Sequence, residues 1–177
     1  MEIRKILFPV DLTGFSSKVV PEVLFMAKKF DAQVHLLFVV GTLEEYSTFF
    51  VPHPSLDLLE MQNMTLAEQK LDEFAERYME DYPLIRKVVL RGNPVTEMRK
   101  YVESAGIDMI IMASHGRHGL ERALFGSVAD EITRNSPVPV LCINPDVEKK
   151  KWKETAGFRE EARLPGESGR TGAESLM

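Results

Sequence analysis

The chain has 177 residues, 44% of them hydrophobic and 28% charged, which are the values of a soluble globular protein with one core and additions to it, not two independent cores. A formal net charge of −5 excludes a general attraction to nucleic-acid phosphates, because that attraction needs a clustered positive surface. The only cysteine, Cys142, excludes an intrachain disulfide, and "MEIRKILFPVDL" lacks the h-region of a signal peptide; with no apolar stretch near 18 or so residues, a cytoplasmic protein with neither membrane nor nucleic acid as partner is expected.

The first apolar run, "IRKILFPVDL", keeps Ile6, Leu7, Phe8 and Val10 together instead of alternating them with polar residues, the pattern of a strand buried on both faces. Behind the capping candidates Ser16 and Ser17, Val19, Val23, Ala27 and Phe30 recur at helical spacing and predict a first helix. "AQVHLLFVV" predicts a second strand. Residues 41 to 55, "GTLEEYSTFFVPHPS", are too aromatic for a plain linker and too interrupted by Pro52 and Pro54 for a regular helix; a lid and a packed loop are both compatible with them, and the packed loop is the simpler reading. Met64, Ala67, Leu71, Phe74 and Tyr78 then predict a second, longer amphipathic helix.

"IRKVVLRG" is a third strand of mixed polarity. "NPVTEMRKYVESAG" carries a cap at Asn93, Pro94 at the first helical position, an apolar face of Val95, Met98 and Val102, and Gly106 as a stop. "IDMIIMAS" is a fourth strand, "SVADEITRN" a fourth helix and "VPVLCIN" a fifth strand, whose Pro137 and Pro139 predict an edge position. Strands that alternate with helices in this way predict an α/β fold: a single doubly wound, five-stranded parallel sheet with helices on both faces, over residues 1–145. From about Asp146 the chain is poor in aliphatics and rich in charge, Gly and Ser. That composition cannot offset the entropy of ordering, so residues 146–177 are expected to form a mobile tail.

Ligands of such sheets bind beyond the carboxyl ends of the strands, where strand order reverses. Asp11 and the segment after Ala113 both lie at such ends. Connections of this kind usually take about two to six residues, yet here a dozen separate Ala113 from the next helical signal, with Gly116, Gly119 and Gly126 among them. Gly116 and Gly126 allow positive φ and a close approach of backbone to ligand. Ser127 and Val128 open a helix whose free amides and dipole favour an anion by roughly 0.3–1 kcal/mol. A phosphate site is predicted, with Ser127 adding a hydroxyl and His115 placed either to donate to a phosphate oxygen or to fix the loop.

These residues resemble the universal stress protein family in its ATP-binding branch. The family motif is Gly, two residues, Gly, nine residues, then Gly-Ser or Gly-Thr. Here it reads Ala113-Ser114-His115-Gly116, "RHGLERALF", Gly126-Ser127, with alanine for the first glycine. The resemblance spans about residues 3 to 145, including "ILFPVDLTGFS" and "SPVPVLCI", and implies an adenine nucleotide alpha hydrolase-like fold. It implies that Asp11 contacts adenine or sits beside it, with Pro9 and Val10 lining that wall and Val40 touching base or ribose. Met112 and Ala113 would lie under the ribose, while His115, Gly116, Gly126, Ser127 and Val128 would hold the phosphates. The alanine at 113 is expected to weaken or alter binding before it abolishes it.

The same residues admit other readings. Asp11 also suits a cap on the turn ahead of the first helix, and the two roles are compatible. His115-x-x-His118 lacks further ligands at metal-site spacing. "FGSVA" lacks the second glycine of a nucleophile elbow, and no Walker-type lysine follows the loop, so at most slow ATP hydrolysis or self-phosphorylation is expected. Cys142 reads as a small apolar residue. The family also implies a homodimer through the last strand, around Val138, Val140 and Cys142, and a role in stress response. The expected ligand is ATP, with AMP or ADP as variants and magnesium or manganese carried by the phosphates. The rival readings are a member of the family that acts only through protein contacts, for which Ala113 is the evidence, and an enzyme of adenylate chemistry, for which no second-substrate constellation is visible.

Overall fold

The computed structural model describes residues 2–12, 14–41, 54–114 and 126–145. The chain divides into Met1–Pro145 and Asp146–Met177; the fold below is that of the first unit, and the tail lies outside the described residues. The elements run β1 (Lys5–Pro9), α1 (Gly14–Phe30), β2 (Gln33–Val40), α2 (Pro54–Met79), β3 (Ile85–Arg91), α3 (Pro94–Ala105), β4 (Met109–Ala113), α4 (Ser127–Asn135) and β5 (Val140–Ile143). All pairings are parallel, in the order β3-β2-β1-β4-β5. Strand order therefore reverses between β1 and β4, the two strands whose ends carry the predicted site.

The continuous apolar runs of the central strands bury both sheet faces. Ile6, Phe8, Val34, Leu36 and Ile111 pack with Val19, Val23 and Ala27 of α1 and Leu71 and Phe74 of α2. On the other face Leu7, Leu37, Ile110 and Met112 pack with Val95, Met98 and Val102 of α3 and Ala129 and Ile132 of α4. Each large side chain so buried is worth about 1.5–3 kcal/mol. No helix among the described residues is long and apolar enough to cross a membrane.

Local signals explain most boundaries. Asn93 Oδ1 accepts from the Val95 and Thr96 amides at the start of α3, and Gly106 ends it at φ 63. Three sequence expectations change. Ser16 and Ser17 do not precede α1 but lie inside its first turn, because the helix already begins at Gly14. Phe30 leaves the buried stripe and is 39% exposed, the α1 stripe having ended at Ala27. Pro54 opens α2 instead of interrupting a loop, since proline is tolerated where a helical amide has no partner; residues 42–53 of the preceding segment lie outside the described residues.

The two sheet edges differ in chemistry. β3 exposes Arg86, Lys87 and Arg91, whereas β5 reads VLCI, each residue half-buried and none charged. Pro139 precedes β5 and its carbonyl accepts from the Ile110 amide, so the proline is accommodated at the edge where its missing donor does no harm. Burial raises the Cys142 thiol above its ordinary pKa, as befits an inert apolar residue.

One buried polar group interrupts the apolar sheet. His35 of β2 is fully buried, with Nδ1 at 2.8 Å from the Tyr101 hydroxyl of α3 and Nε2 at 2.9 Å from Gln33 Oε1. Gln33 Oε1 can only accept, so Nε2 carries the hydrogen and Nδ1 receives that of Tyr101. Both ring nitrogens are satisfied with the imidazole neutral.

Candidate functional site

The site is assembled at the carboxyl edge of the sheet by three short backbone links. Pro9 ends β1 in register with Leu37, and the Val10 amide donates to Leu37 O at 2.8 Å, which carries the β1 end past the strand proper. β1 and β4 pair with Ile6 against Met109 and Leu7 against Ile110, so Pro9, Val10 and Asp11 emerge on the same edge as Met112 and Ala113. Ser114 follows, buried, its amide donating to Ile143 O of β5 and its carbonyl accepting from the Gly126 amide, both at 2.8 Å. This last bond ties the start of α4 to the end of β4. The sequence pattern had not indicated Ser114, because its role is carried by main-chain groups that leave no side-chain signature.

The start of α4 differs from that of α3. At α3 the first free amides are taken by Asn93, whereas the residue that caps α4 is Gly126, and among the described residues no side chain caps that helix. Ser127 is exposed, and Gly126 and Val128 are half-buried. A helix opening without a side-chain cap keeps amide hydrogens and a positive dipole end available to an anion. Gly126 has φ −71 and ψ 160, which corrects the expectation of a left-handed conformation. Any residue adopts that backbone, so the conformation itself does not call for glycine.

At the β1 end, Asp11 is partly buried. Its amide donates to Ser16 Oγ at 3.0 Å, and the Ser16 hydroxyl donates to Asp11 Oδ1 at 2.6 Å. Asp11 therefore does take part in the turn before α1, as its residue type predicts, while standing at the rim. The sequence alone makes Ser16 a capping candidate; serine near a helix start signals both roles, and only the fold shows bonds to a residue five positions back. Ala113 is half-buried and its methyl packs against the core on the α1/α2 face. Val40 lies three residues beyond Leu37 at the end of β2, and its carbonyl accepts from the Gly92 amide at 2.9 Å; Gly92, at φ 138, makes that turn in a conformation suited to glycine. His115 and Gly116 lie outside the described residues. The structure thus brings Pro9, Val10, Asp11, Met112, Ala113, Gly126, Ser127 and Val128 to one edge, with Val40 on the neighbouring strand end.

Comparison with known proteins agrees with this fold. Residues 2–144 match the family described as the universal stress protein family. The universal stress protein MJ0531 of Methanocaldococcus jannaschii is 30% identical over 143 residues, covering 79% of this chain and 81% of the relative. The solved structure of MJ0577, a universal stress protein of the same organism, superposes with a TM-score of 0.70 at 26% identity, over 84% of this chain and 100% of that one. A universal stress protein from Archaeoglobus fulgidus, solved in complex with dAMP, superposes with a TM-score of 0.56 at 16% identity, over 81% of this chain and 100% of that one.

Proposed function

The chain belongs to the universal stress protein family, and from that premise we propose that it binds ATP across the ends of β1 and β4 and acts as a nucleotide-dependent regulator of stress response in the cytoplasm. The observation that carries the reading is the start of α4, whose capping residue Gly126 offers no side chain and is held against the end of β4 by its bond to Ser114. Gly126, Ser127 and Val128 would hold the phosphates through main-chain amides and the Ser127 hydroxyl. His115 and Gly116 would join them from the preceding loop. Asp11 would meet the adenine against Pro9 and Val10, with Val40, Met112 and Ala113 around the ribose. The dAMP held by the Archaeoglobus fulgidus protein is a nucleotide of the same base.

Magnesium or manganese would ride on the phosphate oxygens. Among the described residues no group of three or more His, Cys, Asp or Glu side chains could hold a metal ion, so the donor set favours a metal carried by the ligand. Chemistry on the bound nucleotide would be slow at most, since "FGSVA" brings no lysine to stabilise charge on a transferred phosphoryl group. A purely protein-binding role would be favoured if Ala113 blocked the ribose. Its methyl instead packs on the core face, which supports the nucleotide reading.

Denaturant unfolding with and without ATP tests this. At 100 times the dissociation constant, ATP is expected to add about 2.7 kcal/mol of stability. No change in midpoint, together with no adenine nucleotide carried through gel filtration, would sink the proposal.

The bare apolar β5 edge also supports a homodimer through that strand, since such an edge is a template for pairing. Val138, Val140 and Cys142 would lie at the joint. Sedimentation is expected to give two chains per particle for the wild type and one for Val140→Lys, with the circular dichroism of a folded protein in both; a monomeric wild type would refute it. A second copy is thus the partner proposed, with further proteins, but not nucleic acid, as its regulatory targets.

A further inference from the structure

β3 borders the sheet on the side away from β5. The Leu84 carbonyl accepts from the Val34 amide at 2.8 Å and the Gly92 amide donates to the Val40 carbonyl at 2.9 Å, so residues 84, 86, 88, 90 and 92 turn their main chain to β2. Main-chain groups alternate in direction along a strand. The amides and carbonyls of Ile85, Lys87 and Val89 therefore point outward, where among the described residues no strand pairs with them. Side chains sort by face in the same rhythm. Val89 packs on the α1/α2 core and Lys87 meets Asp72 of α2. On the opposite face α3 packs over β2, and the exposed Leu84 with the half-buried Val88 and Leu90 makes an apolar shelf along the border. The only charges of β3 are Arg86, Lys87 and Arg91, all exposed, in a chain of formal net charge −5. Cations on an edge keep like edges apart, but they do not keep out a strand of opposite charge.

We propose that the β3 border is a docking surface for an extended acidic segment of a partner protein, in which carboxylates alternate with aliphatic residues and which joins the five-stranded sheet as a further strand. Alternation would lay the carboxylates beside Lys87 and Arg91 on the α2 face and the aliphatic side chains against Leu84, Val88 and Leu90 on the α3 face. The outward main-chain groups supply affinity to any strand, while charge and shelf supply the choice among strands. Lys87 serves a second carboxylate beside Asp72, because an ammonium carries three donors. A nucleic-acid backbone would match the cations but not the shelf or the outward amides. The inference does not rest on the nucleotide reading; it names the surface and the chemistry by which partner proteins are engaged.

The probe is a capped, fluorescein-labelled peptide of alternating glutamate and valine, as long as β3, titrated into the full chain by fluorescence anisotropy. Binding is expected, weakened by salt, and at least about tenfold weaker for Lys87→Glu. Arg134→Glu on α4, an equal change of net charge, is expected to bind as wild type does. Hydrogen exchange read by NMR on the wild type tests strand addition without any variant. The Lys87 and Val89 amides are expected to exchange faster than those of Val88 and Leu90 in the free protein, and to slow by at least about tenfold with peptide bound. No binding, a Lys87→Glu dissociation constant equal to that of wild type, equal weakening by Arg134→Glu, or unchanged exchange at Lys87 and Val89 overturns the inference. A single-stranded oligonucleotide that binds more tightly than the peptide and displaces it would overturn it in favour of a phosphate surface. A smaller particle in sedimentation for Lys87→Glu than for wild type would overturn it in favour of a second copy. None of these outcomes bears on ATP binding, which the unfolding experiment above decides by itself.

Discussion

Gly126→Asp is expected to make the nucleotide-free protein more stable and to abolish its stabilisation by ATP. Gly126 stands at φ −71, ψ 160, the extended conformation that helix-capping residues adopt, so an aspartate enters without backbone strain. Its carboxylate would accept the amides at the start of α4 and meet the positive end of the helix dipole, together worth about 0.5–1 kcal/mol over glycine. Those are the groups proposed to grip the phosphates. The new side chain would occupy them and set a negative charge against a triphosphate. The ATP-linked gain of about 2.7 kcal/mol at 100 times the wild-type dissociation constant should therefore fall to near zero. Urea unfolding of both proteins with and without ATP reads the two effects, which have opposite signs. If ATP stabilises the variant as much as wild type, the phosphates do not sit at α4.

Acid is expected to remove about 3 kcal/mol of stability between pH 6.5 and 4 through His35 alone. Burial first, then the positive charges of Arg86 and Lys5, hold its imidazole down to about 4 from the ordinary 6.5. The sign follows from which state takes the proton. Below 6.5 the unfolded chain protonates this histidine and the folded chain does not, so the contribution is complete above 6.5, declines by about 1.4 kcal/mol per pH unit below it, and levels off under 4. A proton on Nδ1 would also displace the hydrogen bond from Tyr101. Carboxylates titrate mainly at the bottom of this window, so the slope between pH 6.5 and 5 isolates histidine. An NMR titration in which the His35 ring shifts stay flat down to about pH 5 would verify the cause; a ring that titrates near 6.5 would contradict it.

Much of the architecture was legible in the sequence because parallel strands covered on both faces must be apolar throughout. Ile6-Leu7-Phe8 and Ile110-Ile111-Met112 declare themselves without any partner in view. Asn93 and Gly106 act within a few residues of themselves, and their roles were equally plain. What could not be read depends on neighbours distant in the chain. Ser16 carries the signature of a cap, yet its bonds point back to Asp11. The dihedral angles of Gly126 are ones any residue adopts, and only the fold shows its amide bonded to the Ser114 carbonyl. His35 sits in the middle of an apolar run, and only Tyr101, 66 residues away, explains how it is tolerated. The site was legible as a set of residue types at strand ends; that β1 and β4 are neighbours, and that Ser114 joins β4 to α4, are properties of the folded sheet.

The contrast between the two outer strands sets a limit on growth. If two copies join through β5, each free flank of the combined ten-stranded ribbon is a β3 bearing Arg86, Lys87 and Arg91. A third copy would then meet a charged flank, where Lys87 is already paired with Asp72, instead of an apolar one. In such a dimer addition would stop after one step, and the sticky border would not lead on to filaments.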